Sequence, residues 1–230
     1  MLYKRNIFNQ NSVSIFTDAS LKTVDGRTSV CPGCCVYIGD VLVYQNYHIL
    51  HNATVNQGEL YAIMMGVMES VKYRNFDKIR LFSDSQTSIF AIRDRIFKWI
   101  SNSQDNILRG YDGNEVSNID YIMTIIYYIL ECAINIEFYH VKGHIKYVDY
   151  YDIQRAKSVF AKSNFITDNI DDELIRQISI GNNQVDRYTG LMLDMYINEQ
   201  RFNLEHMKQA ITISYAPFDT GRYKSLIGGK

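Results

Sequence analysis

The chain has 230 residues and a mass of 26.8 kDa, with 47% hydrophobic and 21% charged residues, enough length and apolar content to bury a real core. Its formal net charge of -1 excludes a polyanion binder that works by bulk charge, so any nucleic acid must be met through a local patch or through bound cations. No apolar run is long enough to span a bilayer, and Met1 to Asn11 lacks a charged-then-apolar leader, so the expectation is a cytoplasmic protein with no membrane contact.

Val13, Ile15 and Thr17 alternate with Ser14, Phe16 and Asp18, the period of a strand that ends on an acid. Lys22 to Gly33 is polar and reads as a loop. Cys31-Pro-Gly-Cys34-Cys35 is read as a turn leading into an apolar strand. Cys31 and Cys34 could also be a redox pair or half of a zinc site, but no second C-x-x-C or closely spaced Cys/His pair completes four zinc ligands, although His48 and His51 are near. Cys34 to Ile38 and Val41 to Leu50, parted by Gly39-Asp40, read as a hairpin, which makes the first three strands an antiparallel meander.

After Asn56 the period changes. Leu60, Ile63, Met64, Val67, Met68 and Val71 recur at helical spacing and predict an amphipathic helix with one buried face. Glu59 falls in its first turn, where an acid suits the helix dipole without any further role. Ile79, Leu81 and Phe82 form a short run ending in Ser83-Asp84-Ser85, followed by a helix carrying Ile89, Ile92, Ile96, Trp99 and Ile100. Asp84 can cap that helix; alternatively, a helix-linked strand suggests parallel pairing, with ligands bound beyond the strand's carboxyl end.

Asn102 to Asn118 reads as a loop, and Ile119, Ile122, Ile126, Ile129 and Leu130 as a helix. Ile134, Ile136 and Phe138 predict a strand running into His140-Val141-Lys142-Gly143-His144. Ile145 to Gly181 contains two helical patterns, one on Ile153, Ala156 and Phe160 and one on Leu174, Ile175 and Ile178. A further helix is expected to start at Asn182-Asn183, with Asp186 either in a capping arrangement or free for chemistry. Ala210 to Tyr215 is a possible strand.

Taken in order, Thr17-Asp18-Ala19-Ser20, Gly58-Glu59-Leu60-Tyr61-Ala62, Phe82-Ser83-Asp84-Ser85-Gln86, the His140 to His144 motif and Asn182 to Asp186 resemble the motifs of the type 1 ribonuclease H family. Each is weak alone; five in the family's order are strong together. The resemblance implies an α/β fold, a five-stranded mixed sheet of three antiparallel strands plus parallel strands, flanked by helices. It implies one domain with a core at about 12-199, an insertion at about 145-181 and an extension at 200-230.

The activity implied is cleavage of the RNA strand of an RNA/DNA hybrid, leaving 5′-phosphate and 3′-hydroxyl ends. Two Mg2+ ions, with Mn2+ as a substitute, would be held by Asp18, Glu59, Asp84 and Asp186, in keeping with a hard ion's preference for oxygen ligands. By the same resemblance His144 assists proton transfer, and Asn56 and Gln86 contact the hybrid's minor groove, where the 2′-hydroxyl distinguishes RNA. The span between His144 and Asp186 is longer than the family's usual loop, so Asp149, Asp152 and Asp168 compete with Asp186 as the fourth ligand. A strongly basic substrate-binding handle is missing, because Arg93, Arg95, Lys98 and Arg109 are offset by neighbouring acids. A non-catalytic binding module of the same fold, or another nuclease of the superfamily, are the alternative readings.

Overall fold

The computed structural model describes residues 12-103, 107-110, 112-145, 150-167 and 170-202. The strand expected at Ala210 to Tyr215, and the candidate acids Asp149 and Asp168, lie outside them.

Six strands form one sheet: β1 (Ser12–Val24), β2 (Arg27–Ile38), β3 (Val41–Tyr47), β4 (Leu50–His51), β5 (Lys78–Ser83) and β6 (Ile136–His140). Their order is β3-β2-β1-β5-β6, with two-residue β4 pairing on β2 beyond the end of β3. The β1–β2 and β2–β3 pairs are antiparallel, and the β1–β5 and β5–β6 pairs are parallel. The mixed five-strand arrangement expected from the motifs is therefore present, with β4 as an addition.

The first hairpin differs from the sequence reading. β1 does not stop at Asp18; it runs six residues further against β2, and the reversal is at Asp25-Gly26, both at positive φ. Pro32 and Gly33 lie inside β2 rather than in a turn. Pro32 is tolerated because its carbonyl, and hence its missing N–H, points away from β1, into the gap where β3 has ended and β4 has yet to begin; His48 N–H donates to that carbonyl at 3.0 Å. Cys31 and Cys34 project to opposite faces of this strand, three residues apart, so they cannot grip one ion together. Burial pushes the thiols of Cys31, Cys34 and Cys35 up to about 12, as for inert core cysteines.

Helices cover both faces of the sheet, so the central strands are buried on both sides. On one face lie α1 (Val55–Ser70), α2 (Gln86–Phe90), a wide π turn at Ala91–Arg95, α3 (Ile96–Asn102) and α4 (Ile119–Glu131). The single helix expected after Asp84 is thus split by the π turn, although Ile89, Ile92, Ile96, Trp99 and Ile100 are all buried as expected. α1 is also not one-sided: Gly58 to Val67 is buried without interruption, because α4 packs over its outer face, with Tyr61 against Tyr121.

The other face is closed by α5 (Tyr150–Ser163) and α6 (Asp172–Phe202). They cover a ladder of rings that crosses three strands: Phe16 stacks on Phe82, Phe82 on Tyr139, and Tyr139 on Phe160 of α5, with centroids 5.0, 5.4 and 5.7 Å apart. Ile153, Ala156, Ile175, Ile178 and Val185 complete this second core. The segment at 145-181 therefore fills the interior.

α6 is one helix of 31 residues, where two were expected. Gly181 was the apparent break, yet its backbone is helical, and its missing side chain serves packing. A Cβ there would lie 2.3 Å from the fully buried ring of Phe16. Gly181→Ala gains about 1 kcal/mol of helix propensity, but the ring is held between Tyr37 and Phe82 and cannot withdraw. We expect overpacking to win, with a net loss of about 1–3 kcal/mol in a urea titration. An unchanged or higher midpoint would show that α6 can lift off the sheet.

Candidate functional site

β5 stops pairing with β1 at Thr17 and Ser83, so the two chains separate there. Asp18 and Asp84 are the next residues on each, which places both acids at the mouth of a crevice beyond the carboxyl end of the parallel strands. Asp18 is thus mid-strand with respect to β2 and at a strand end only with respect to β5.

Glu59 comes from α1, whose start is set by a capping box. Thr54 Oγ1 accepts the Gln57 N–H at 3.2 Å, and Gln57 Oε1 accepts the Thr54 N–H at 2.8 Å. This makes Glu59 the fifth helical residue, outside the first turn, so the dipole does not account for it. Gly58 brings the helix down onto the sheet: a Cβ there would stand 2.3 Å from Val30 Cγ1 and 2.9 Å from Ala19 Cβ. The Ala19 N–H in turn donates to the carboxylates of both Asp18 and Glu59.

One carboxylate oxygen from each of Asp18, Glu59 and Asp84 falls within 4.8 Å of the others. Asp18 and Glu59 are 7% and 6% exposed. Burial, reinforced by Asp84 and Asp186, pushes the Asp18 carboxyl up to about 7. Burial, then Asp18 and Asp84, raises Glu59 well above the usual carboxylate range. Burial also raises Asp84, opposed by His144 and by a hydrogen bond from Asn182. Among the described residues, no lysine or arginine is a named influence on these three acids. Glu59 Oε2 is buried and has no hydrogen-bond partner among the described residues. An orphaned oxygen facing two further carboxylates fits an oxygen-liking divalent cation, which would neutralise the charge and occupy the free lone pairs.

Asp186 reaches the rim from α6, and the sequence reading that made it a helix start is corrected: it lies in the middle of that helix, with no capping role. Its Oδ2 is 3.4 Å from Nδ1 of His144, which is 80% exposed on the turn after β6. Asp152, on α5, was the described competitor; the charge that bears on Asp18 and Asp84 from the chain's last described helix is that of Asp186. Asn56 and Gln86 flank the trio. Asn56 Oδ1 accepts Ser88 Oγ at 3.5 Å, and Gln86 opens α2 with its N–H on the Asp84 carbonyl at 3.0 Å. Asp84 does not cap α2; Ser85 occupies the cap position.

Four supporting residues were not singled out from the sequence. Asn182 is buried on α6, one turn before Asp186, and donates to Asp84, leaving its own Oδ1 unpartnered among the described residues. Thr189, three residues past Asp186, donates to Asp18 at 3.5 Å and shares a hydrogen bond with Ser20 at 2.9 Å. Gly143 presses on Asp84, where a Cβ would meet Oδ2 at 2.1 Å. His140 Nε2 lies 3.2 Å from the Asp84 carbonyl. The spacing 182, 186, 189 is a helical face, a signal concealed by breaking α6 at Gly181.

A comparison with curated proteins returns no match. Among solved structures, the chain is similar to the PFV RNase H domain (16% identity, 67% of this chain and 94% of that one, TM-score 0.48). It is also similar to RNase H1 of the archaeon Halobacterium salinarum NRC-1 (17%, 66% and 96%, TM-score 0.37) and to LC11-RNase H1, solved with an RNA/DNA hybrid (12%, 66% and 96%, TM-score 0.41). The sequence profile of RNase H matches residues 10–152, from the strand that carries Asp18 to the first residues of α5. The match spans well over half of the 230 residues, and the chain belongs to the RNase H family.

Proposed function

We propose that this protein is a divalent-cation-dependent endoribonuclease that hydrolyses the RNA strand of RNA/DNA hybrids and leaves 5′-phosphate and 3′-hydroxyl ends. The observation that carries the reading is the convergence of Asp18, Glu59 and Asp84 from three separate elements, with Glu59 Oε2 buried and unpaired among the described residues.

Asp18, Glu59 and Asp84 would hold the cation, with Asp186 contributing from the rim. Two Mg2+ ions, or Mn2+ in their place, supply when bound the activation of the attacking water and the neutralisation of charge on the leaving 3′ oxygen. The chain's own residues do the rest. Asn182 and Gly143 fix the Asp84 carboxylate, and Ala19 and Thr189 fix Asp18. His144, exposed and tethered through Nδ1 to Asp186, is placed to pass a proton between the site and solvent. Asn56 and Gln86, beside the trio, are assigned to the hybrid's minor groove, where the RNA 2′-hydroxyls lie. A cytoplasmic setting belongs to the same reading: the cysteines at 31, 34, 35 and 132 stand unbridged, and no described helix is long and apolar enough to cross a membrane.

The test is incubation of the purified chain with an internally labelled hybrid in Mg2+, alongside single strands and both homoduplexes. Internal cuts in the RNA of the hybrid alone are expected, and they should cease in excess chelator. Hybrid binding without cleavage in either Mg2+ or Mn2+ would make the chain a binding module; cleavage of DNA would point to a different nuclease of the fold.

A further inference from the structure

β6 is the outer strand of the parallel half of the sheet. At its last residue the inward side is used in full, with Val141 N–H donating to the Ser83 carbonyl at 3.0 Å. Among the described residues no strand lies on the outward side of His140, and a side chain takes that place. Asn164, directly after α5, accepts the His140 N–H on Oδ1 at 2.9 Å and donates from Nδ2 to the His140 carbonyl at 2.8 Å. Its remaining valences are filled too: Nδ2 donates to the Phe160 carbonyl at 2.9 Å, and Oδ1 accepts from Arg93 Nη1 at 3.0 Å. An amide has two donors and two acceptor sites, and here all four are satisfied.

Arg93 extends the grip. It donates to the Phe138 and Ser163 carbonyls and lies over the rings of Phe90 and Phe165, tying the π turn to β6 and to the end of α5. The strand residue held in this way reaches the carboxylate site. His140 Nε2 faces a carbonyl oxygen, that of Asp84, so it must carry the proton and donate. Three residues on, Gly143 lies against the Asp84 carboxylate, and His144 meets Asp186.

We propose that Asn164 is a positioning residue of the site, and that α5 is the brace that holds it in place. Asn164 fixes the backbone of His140, the imidazole of His140 fixes the main chain of Asp84, and the turn from Val141 to His144 sets the Asp84 carboxylate and the approach of His144 to Asp186. This explains what the long span before Asp186 contributes: a helix whose Phe160 packs on the ring ladder while the asparagine at its end finishes the edge of β6. The inference rests on the reading of Asp18, Glu59 and Asp84 as a cation site.

The test compares Asn164→Ala, Asn164→Asp and Phe160→Leu with the wild-type chain by calorimetric titration of Mn2+, steady-state hybrid cleavage and thermal unfolding. Phe160→Leu is the control, since it loosens α5 without touching the amide. Asn164→Ala is expected to weaken Mn2+ binding by about 10–100-fold, the usual consequence of losing support behind a ligand. It should lower kcat more than it raises KM, because the hydrogen bonds of the Asn164 amide run to His140, Phe160 and Arg93 and not to Asn56 or Gln86, the residues assigned to the substrate. Asn164→Asp keeps the two acceptor bonds and loses the two donors, so an intermediate loss is expected, and this variant serves if Asn164→Ala does not fold. Phe160→Leu should lower the melting temperature and weaken Mn2+ binding by clearly less than Asn164→Ala, since the four bonds of the Asn164 amide remain. Asn164 variants that bind Mn2+ and turn over as the wild type does would overturn the proposal, as would a Phe160→Leu protein that loses as much affinity. If the wild type binds Mn2+ without cutting hybrid, the nuclease reading fails and the affinities still decide the brace; if it binds no Mn2+, the cation site falls and the brace with it.

Discussion

Asp84→Asn is expected to lower hybrid cleavage by about 10²–10³-fold while leaving the fold intact, the scale seen when a single charge-stabilising group is removed from a preorganised site. The asparagine is isosteric, so it can keep its place beside Gly143. What it loses is the charge, and with it one of three converging carboxylate ligands. Since the site gathers buried acids with no lysine or arginine beside them among the described residues, the same substitution should raise the melting temperature of the chelated protein by relieving repulsion with Asp18 and Glu59. Loss of function together with a gain in stability separates a ligand role from a packing role, in which both would fall. Full activity in Asp84→Asn, or full activity of the wild type in excess chelator, would sink the mechanism.

A chelated sample should lose stability as the pH rises from 6.5 to 8. The Asp18 carboxyl titrates near 7 in the folded protein, against 3.8 as its ordinary value, so between these values the folded state binds more protons than the unfolded chain. Stability from this group is therefore full below the unfolded value and is lost as the pH rises through about 7. Over the stated window Asp18 alone accounts for about 1 kcal/mol, and Glu59, raised well above the usual carboxylate range, works in the same sense. His48 and His140, held below their ordinary value of 6.5 mainly by burial, work in the opposite sense up to about pH 7.5, so the Asp18 share is read as the difference from Asp18→Asn measured over the same window. Urea titrations at both pH values measure the difference. Mg2+ should flatten the profile by holding the carboxylates ionised, and a flat or rising profile in chelator would show that the three acids are better solvated than their burial implies.

Local pattern was sufficient for most of the elements, and the resemblance of five short motifs supplied the candidate acids. Apolar alternation placed β1, β5 and β6, helical periodicity placed α1, α4 and α5, and five short motifs in order named Asp18, Glu59, Asp84, His144 and Asp186. These signals are local, set by a few neighbouring residues and by the two repeat lengths of strand and helix. Where the reading failed, the cause was distant. Gly181 looks like a helix break in any window of the sequence; it lies inside α6, and Phe16, 165 positions earlier, leaves room there for no side chain larger than hydrogen. Pro32 looks like a turn, and it lies within a strand because two other strands leave a gap beside it. Glu59 looks like a dipole residue, and Gly58, closing on Val30 and Ala19, turns it into a partner of Asp18.

The sequence by itself therefore determined which carboxylates exist and the order in which they come. Only the tertiary structure decided that three of them meet within 4.8 Å in a buried setting, and that an asparagine 80 residues from Asp84 stands behind it. The physical reason is that burial and convergence are properties of packed surfaces. Desolvation raises a carboxyl only when other elements exclude water from it, and a backbone edge requires a side-chain partner only when the sheet ends there.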